Sequence, residues 1–289
     1  MTPFARLREK GYRMTVKGKT ILVTGSTDGV GRYVAERLAN DGARAIVHGR
    51  DRARGEAVVK QIADGGGEAL FLEADLASLA EVRRLAAAVR AACDGLDCLV
   101  NNAGIGAAGG KRETSADGLE LRFAVNYLAG FLLTRLLLPL IEKRAPSRIV
   151  NVASAGQQRI DFDDVMLTHD YSGGLAYRQS KLAQILFTID LAEELKGQGV
   201  TVNALHPATY MATTMVRQSG VKPMSTVEEG GAAILELVRS PTLEARSGLY
   251  FSGLRESRAD AQAYDASARM RLRALSFELV GLPDPAPSR

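Results

Sequence analysis

From Lys17 onward the sequence alternates short β-prone runs with longer stretches of helical period, and this alternation limits the fold more than any other feature. Candidate strands lie at Thr20–Val23, Arg44–His48, Ala69–Glu73, Cys98–Asn101, Arg148–Val152, Val200–Leu205 and Leu249–Phe251. Several are nearly continuous apolar runs, as a strand must be when helices cover both faces of its sheet. Helical patterns between them cover Val30–Asn40, Arg52–Ala63, Leu79–Ala92, Gly118–Lys143, Ala176–Lys196 and Val227–Arg239. In the third of these, Leu79, Val82, Leu85, Ala86 and Val89 recur at the spacing of one helix face. Strand then helix, repeated, builds right-handed βαβ units, and so an α/β fold with a doubly wound parallel sheet. No internal repeat and no Pro/Ser-rich linker divides the 289 residues, so a single domain over residues 17–280 is expected, after a basic extension at 1–16. An Arg-rich helical pattern over Ser257–Leu279 is expected to pack on the body. The tail 281–289, with Pro283, Pro285 and Pro287, is expected to be disordered.

Composition excludes several other classes. Apolar residues make up 46% and charged residues 24%, an ordinary soluble balance that rules out a disordered chain, a collagen or a coiled coil. The longest apolar stretch, Phe131–Ile141, is interrupted by Arg135 and falls well short of the roughly 20 residues of a membrane span. Met1–Lys19 has charge but no apolar segment of a signal peptide. The net charge is +4, yet residues 1–19 hold Arg6, Arg8, Lys10, Arg13, Lys17 and Lys19 against Glu9 alone. The rest is nearly balanced, 31 basic to 32 acidic, whereas a chain that tracks phosphate backbones spreads basic residues over its folded body. No nucleic-acid partner is expected. Membrane contact is at most peripheral, through the basic extension, and a solvated tail is the simpler reading. Cys93 and Cys98 make neither a disulfide framework nor a C-x-x-C pair, so a reducing, cytoplasmic location is expected.

The segment Thr24-Gly25-Ser26-Thr27-Asp28-Gly29-Val30-Gly31 follows the first strand and opens the first helix. Glycines there allow a tight turn and close approach to a pyrophosphate, while the helix N-terminus offers N–H groups and a positive dipole end. With its G-x-x-x-G-x-G spacing, the turn resembles the first motif of the short-chain dehydrogenase/reductase family. That resemblance implies a Rossmann-type fold in which Gly25, Ser26, Thr27, Asp28, Gly29, Val30 and Gly31 line a nicotinamide dinucleotide. An NAD-type site would place an acid at the end of the second strand. Here Gly49 stands in that place, with Arg50 next. A guanidinium holds a 2′-phosphate that an acid would repel, so NADP(H) is expected over NAD(H). Arg32 is a second candidate, for which a solvated first-turn arginine is an equally good account. Asp51 reads as a helix N-cap. Ala74-Asp75-Leu76 is similar to the family's adenine-side segment, and Asn101-Asn102-Ala103-Gly104 matches its N-N-A-G motif. Asp75, Leu76, Asn102, Ala103 and Gly104 are therefore candidate cofactor contacts, with a scaffold role for Asn102 equally open.

Tyr177-Arg178-Gln179-Ser180-Lys181 reads Y-x-x-x-K, a spacing that puts Tyr177 and Lys181 on one helix face. A phenol of pKa about 10 is a poor proton carrier at neutral pH, and a nearby ammonium favours its ionised form. Alone the pattern is weak. It is joined by Ser154, which ends the run Ile149–Ser154, and by Asn126 in Val125-Asn126-Tyr127. The resemblance implies that Ser154 bonds the substrate oxygen and that Tyr177 is the general acid/base. It also implies that Lys181 lowers the tyrosine pKa and holds the nicotinamide ribose, and that Asn126 holds a water linking the lysine to solvent. His48, His169 and His206 are scattered, and none is the expected base.

The Ser154–Tyr177 interval is long, and the insert Gln157–Gly174 together with the run Ala176–Ala183 resembles the retinol dehydrogenase and protochlorophyllide reductase branch, implying a lipophilic carbonyl or alcohol substrate. Asp161, Asp163 and Asp164 in that insert read as solvated acids rather than a metal site. After the sixth candidate strand the family usually has Pro-Gly and then a threonine. This chain has Pro207-Ala208-Thr209-Tyr210-Met211-Ala212, so Pro207 and Thr209 are candidate contacts and Thr213 a possible substitute for the missing threonine. Met211–Met224 is expected to form a substrate lid. The family implies a homodimer or homotetramer through the helices of Gly118–Lys143 and Ala176–Lys196, whose apolar residues could equally be core. The reading of a different class is a non-catalytic NADP-binding sensor or scaffold.

Overall fold

The computed structural model describes residues 15–107 and 111–285. The basic extension up to residue 14 and the last four residues of the tail lie outside the described residues. One sheet is formed by β1 (Thr20–Val23), β2 (Arg44–Gly49), β3 (Glu68–Glu73), β4 (Cys98–Asn101), β5 (Ser147–Val152), β6 (Val200–His206), β7 (Tyr250–Ser252) and β8 (Arg255–Ser257). The spatial order is β3-β2-β1-β4-β5-β6-β7-β8, and every pair is parallel except β7–β8. Around it lie α1 (Gly29–Asn40), α2 (Arg52–Asp64), α3 (Leu79–Ala92), α4 (Ala129–Glu142), α5 (Gly173–Glu194), α6 (Thr214–Gln218), α7 (Val227–Arg239) and α8 (Ala266–Val280). A π-helical segment, Phe123–Leu128, leads into α4.

Strand β1 shows why continuous apolar runs were needed. Successive side chains face opposite sides of a sheet. Leu22 joins the core made with α3, α4, α5 and α8, while Ile21 and Val23 join the core made with α1, α2 and α7. The strand order reverses between β1 and β4, which opens a crevice at their carboxyl ends. The registers Val23↔Val100, Asn101↔Asn151 and Val152↔Leu205 bring the ends of β1, β4, β5 and β6 to one edge. Gly25, Asn102, Ser154 and Pro207, far apart in sequence, leave the sheet together there.

Three expectations are corrected. The helix expected from Gly118 starts later, because Gly118 sits in a turn at φ 78°, a left-handed conformation no helix uses, and Thr114 bridges Glu120 across it. The helix expected over Ser257–Leu279 begins only at Ala266, where Asp265 caps it by accepting the Ser267 N–H. The residues before it hold the end of β8 and a 3₁₀ turn at Ala261–Tyr264. Helix α5 starts earlier than expected, at Gly173, because Ser172 accepts the Leu175 N–H. Strand β8 and the short α6 were not foreseen.

Continuous helix over Phe123–Glu142 is long and apolar enough to cross a membrane by length and composition, longer than the interrupted stretch in the sequence. Most of it is buried in this protein, against α3, α5 and α8. Helix α8 lies on α5 and α4. The ring of Phe131 sits 5.1 Å from those of both Phe187 and Phe277, and Arg135 stacks over all three while pairing with Glu194 at 2.6 Å. These aromatic residues of α4 and α5 are therefore core.

Candidate active site

The three glycines of the first turn meet three different demands. Gly25 has φ 63°, and a Cβ there would lie 2.8 Å from the Ala103 Cα. At Gly31 a Cβ would lie 2.3 Å from the Gly25 carbonyl oxygen and 2.4 Å from Asn102 Nδ2. Gly29, at φ 54°, opens α1 directly beneath the Thr213 methyl. No side chain fits at these three glycines, which is what close approach of a pyrophosphate to the α1 N-terminus requires, and the residues present fit a dinucleotide. The Asp28 carboxylate caps α1 by accepting the Gly29 N–H at 2.7 Å, so its side chain serves the helix. Ser26 is fully buried. Its hydroxyl donates to the Val23 carbonyl at 2.6 Å and accepts the His48 N–H at 3.0 Å, so its side chain ties β1 to β2.

Thr27 leans on the end of β2, where a Cβ on Gly49 would lie 2.5 Å from its methyl. A larger residue at 49, acids included, would displace Thr27. Arg50 is exposed beside it, and among the described residues no carboxylate pairs with it. Arg32 instead bonds Glu36 at 2.7 Å and Gln61, across the α1–α2 seam. Asp51 caps α2, accepting the Arg54 N–H at 3.0 Å. Asp75 and Leu76 leave the end of β3, where Asp75 Oδ1 accepts the Ala77 N–H at 2.9 Å and shapes the turn into α3. Asn102 realises the scaffold role: Nδ2 donates to the carbonyls of Thr24 and Gly25 at 2.8 and 3.1 Å. Ala103 N–H donates to Thr24 Oγ1 at 3.0 Å.

At the ends of β5 and α5 the structure brings Ser154, Tyr177, Lys181 and Asn126 together. Ser154 Oγ accepts the Gly156 N–H at 3.0 Å and lies beside Tyr177: a Cβ on Gly156 would fall 3.5 Å from Ser154 Oγ and 3.9 Å from the Tyr177 ring. Burial holds the Tyr177 pKa above the ordinary phenol value, with the Ser154 hydroxyl pulling the other way. The expected lowering by Lys181 does not set the direction here, because burial of the phenol dominates. Lys181 is fully buried under the tyrosine, its Nζ 5.8 Å from the ring centroid and donating to the Val152 carbonyl and Gln184 Oε1, both at 2.9 Å. Burial brings its pKa down to about 7.

Asn126 lies in the π-helical segment, a distortion common at functional sites. Its Oδ1 accepts the Ile105 N–H at 2.7 Å, and its Nδ2 donates to the Ile105 carbonyl at 3.2 Å and to Ser180 Oγ at 2.9 Å. The side chain is thus engaged within the protein. A Cβ on Gly104 would fall 3.2 Å from Asn126 Oδ1 and 3.5 Å from Lys181 Nζ, so this glycine keeps the space between them open.

Pro207 is buried at the end of β6, while Thr209 is exposed, its hydroxyl 3.1 Å from His206 Nε2. Thr213, not Thr209, reaches the glycine turn. In the segment expected to form a lid, Met215 meets Gly106 and Met211 meets Gly230 of α7. Tyr210 has φ 44°, a strained conformation for a tyrosine, and its phenol adds a little to the raised Tyr177 pKa. In the insert, Asp164 accepts the Thr168 and His169 N–H groups at 2.8 and 2.9 Å, bonds that hold its carboxyl at about 2. Tyr171 is clasped by Arg122 at 2.6 Å, and Arg122 also holds the Gly106 carbonyl at 2.9 Å.

Some contacts had no signal in the sequence. The Ser154 carbonyl receives Gln157 Nε2 at 2.9 Å and the Tyr250 hydroxyl at 3.1 Å, the latter from 96 residues away. Gln184 had only a faint one, a polar residue inside an otherwise apolar run.

Comparison with known proteins gives the class. A sequence model of the family described as short chain dehydrogenase matches residues 19–223, and the chain belongs to that family. Within it the likeness is to retinol dehydrogenases. Retinol dehydrogenase 14 of Homo sapiens is 38% identical over 307 residues, covering 96% of this chain and 90% of that protein. A crystal structure of an uncharacterised protein from Mycobacterium paratuberculosis superposes with a TM-score of 0.79 at 30% identity, covering 95% of this chain and 98% of its own. The active-site complex of Pseudomonas aeruginosa RhlG with NADP has a TM-score of 0.68 at 27% identity, covering 82% and 95%. The chain is accordingly an oxidoreductase of alcohol and carbonyl groups that uses a nicotinamide cofactor.

Proposed function

We propose that this protein is an NADP(H)-dependent oxidoreductase of a lipophilic carbonyl or alcohol, with Tyr177 as general acid/base. The observation that carries the reading is the grouping of Ser154, Tyr177 and the buried Lys181 amine, 5.8 Å from the tyrosine ring, at the same sheet edge as the glycine turn. When bound, the nicotinamide supplies or accepts the hydride. Tyr177, kept a phenol by burial, donates its proton to the carbonyl oxygen in reduction and takes it back in oxidation. Ser154, its Oγ fixed by the Gly156 N–H, orients that oxygen and stabilises the charge developing on it. Lys181 replenishes Tyr177 and holds the ribose hydroxyls. Asn126 fixes the Ile105 loop beside that amine and so shapes the way out for the proton.

The NADP(H) preference is supported by Gly49, where an acid would have to displace Thr27, and by the exposed Arg50 next to it, which has no carboxylate partner among the described residues. A lipophilic substrate is supported by Tyr210, Met215, Val221 and Met224, all large and exposed along the lid. Met side chains adapt to varied apolar shapes. The retinol dehydrogenase names of the relatives point the same way. A cytosolic enzyme, with any membrane contact peripheral, fits the two free cysteines.

The test is oxidation of NADPH and of NADH with retinal, aliphatic aldehydes, aromatic ketones, quinones and keto-steroids. Turnover confined to one lipophilic class, and faster with NADPH, is expected. Tight NADPH binding without turnover of any of them would favour the sensor reading, and equal use of NADH would remove the role given to Arg50.

A further inference from the structure

Gln184 stands one turn beyond Lys181 on α5, inside the buried run Leu182–Phe187, where every other side chain is apolar. A buried amide in such a run needs an internal partner. Its Oε1 has one in the Lys181 amine at 2.9 Å, and the Val152 carbonyl takes a second N–H at the same distance. An ammonium has three donors in a tetrahedral arrangement. With two committed to fixed acceptors, the third direction is set. The groups around the amine are the Tyr177 ring from α5, the Val152 carbonyl from β5, and the gap at Gly104 that separates it from the Asn126 amide. Among the described residues no charged group acts on it, and burial alone sets its affinity for protons.

We propose that Gln184 is a positioning residue for the reaction: it fixes the Lys181 amine and, being an uncharged acceptor, leaves the charge of its protonated form and its third N–H to the Tyr177 side of the site. Gln184 touches neither substrate nor reacting atoms. The inference rests on the reading of Tyr177 as acid/base. A glutamate at 184 would hold the amine as firmly but would cancel its charge. A leucine would leave the ammonium short of an acceptor in a buried place, and such a loss favours the neutral amine.

The experiment is the titration of Lys181 in the ligand-free protein by NMR of ¹³C-labelled lysine, with Lys181→Met to assign the signal, in wild type, Gln184→Leu and Gln184→Glu. In wild type the midpoint is expected near the value of about 7 that burial imposes. It is expected to fall by about one pH unit or more in Gln184→Leu and to rise in Gln184→Glu. In NADPH-driven turnover, Gln184→Leu is expected to lower kcat with KM for the carbonyl unchanged, and to move the alkaline limb of the profile to lower pH. Gln184→Glu is expected to restore the lysine titration without restoring kcat. A folded Gln184→Leu protein whose Lys181 titrates as in wild type would overturn the proposal, and so would a Gln184→Glu protein with wild-type kcat. Should the leucine variant not fold, the near-isosteric glutamate variant carries the test alone, and an unmoved midpoint there overturns it. The titration needs no substrate, so its failure is separable from a failure of the Tyr177 reading, which wild-type turnover decides.

Discussion

His48 closes β2 with its imidazole beneath the glycine turn, where Nδ1 accepts the Gly25 N–H at 3.1 Å. Only a neutral ring with its proton on Nε2 can do that. Burial lowers its pKa from 6.5 to about 4. The unfolded chain therefore binds the extra proton first, and stability falls as pH drops from 6.5 toward 4, by on the order of 3 kcal/mol when the shift is complete. Imidazole ¹H–¹⁵N spectra should show the Nε2–H form unchanged down to about pH 5. Titration near 6.5 would contradict the buried, turn-bound ring. Residues of this kind mark the limit of sequence reading. His48 reads only as a scattered histidine, because burial and the turn that meets it come from a segment 23 positions away. Motif residues such as Gly25, Asn102 and Tyr177 could be singled out as candidates because their motifs depend on local spacing. Arg32 was ambiguous for a similar reason: its partner Gln61 lies on another helix. Tyr250 and Gln184 act on the site only through contacts that the folded chain creates.

Among the elements, the strands and the amphipathic helices were legible almost to their ends, since buried runs and helical spacing are local properties. The errors fell where one residue overrode the pattern. Gly118 stops a helix by its left-handed turn, and Asp265 delays another by capping it. Strand β8 carries exposed Arg255 and Glu256 and has no apolar signature at all. Helix α8 is held by packing rather than by its weakly patterned sequence. Phe277 stacks edge-on against Phe131, the Tyr127 hydroxyl meets Ser276 Oγ at 2.6 Å, and Arg273 bridges Asp190 at 3.2 Å and Glu194 at 2.5 Å. Truncating Phe277 to alanine removes a buried ring and is expected to cost about 3–5 kcal/mol in urea unfolding. A loss below about 1 kcal/mol would mean that α8 does not belong to the cooperative core. An assembly built on the aromatic faces of α4 and α5 would have to displace this helix.

For the whole molecule, topology explains why residues from Gly25 to Thr213 meet. A parallel sheet sends every strand's carboxyl end to the same edge, and the reversal between β1 and β4 opens the cleft there. The fold class followed from the alternation of elements, and the candidate site from motifs that each strand end carries. Substrate identity was not legible, because the insert and the lid are shaped by contacts such as Arg122 with Tyr171 and Met215 with Gly106 that no local pattern encodes. The central claim is that Tyr177 moves the proton while the rest of the site holds the cofactor. The most direct measurement compares wild type with Tyr177→Phe for NADPH affinity, by fluorescence titration, and for turnover of the best carbonyl substrate. The account predicts an affinity within about twofold and a kcat lower by about a hundredfold to ten-thousandfold. Unchanged turnover in the phenylalanine variant would contradict it.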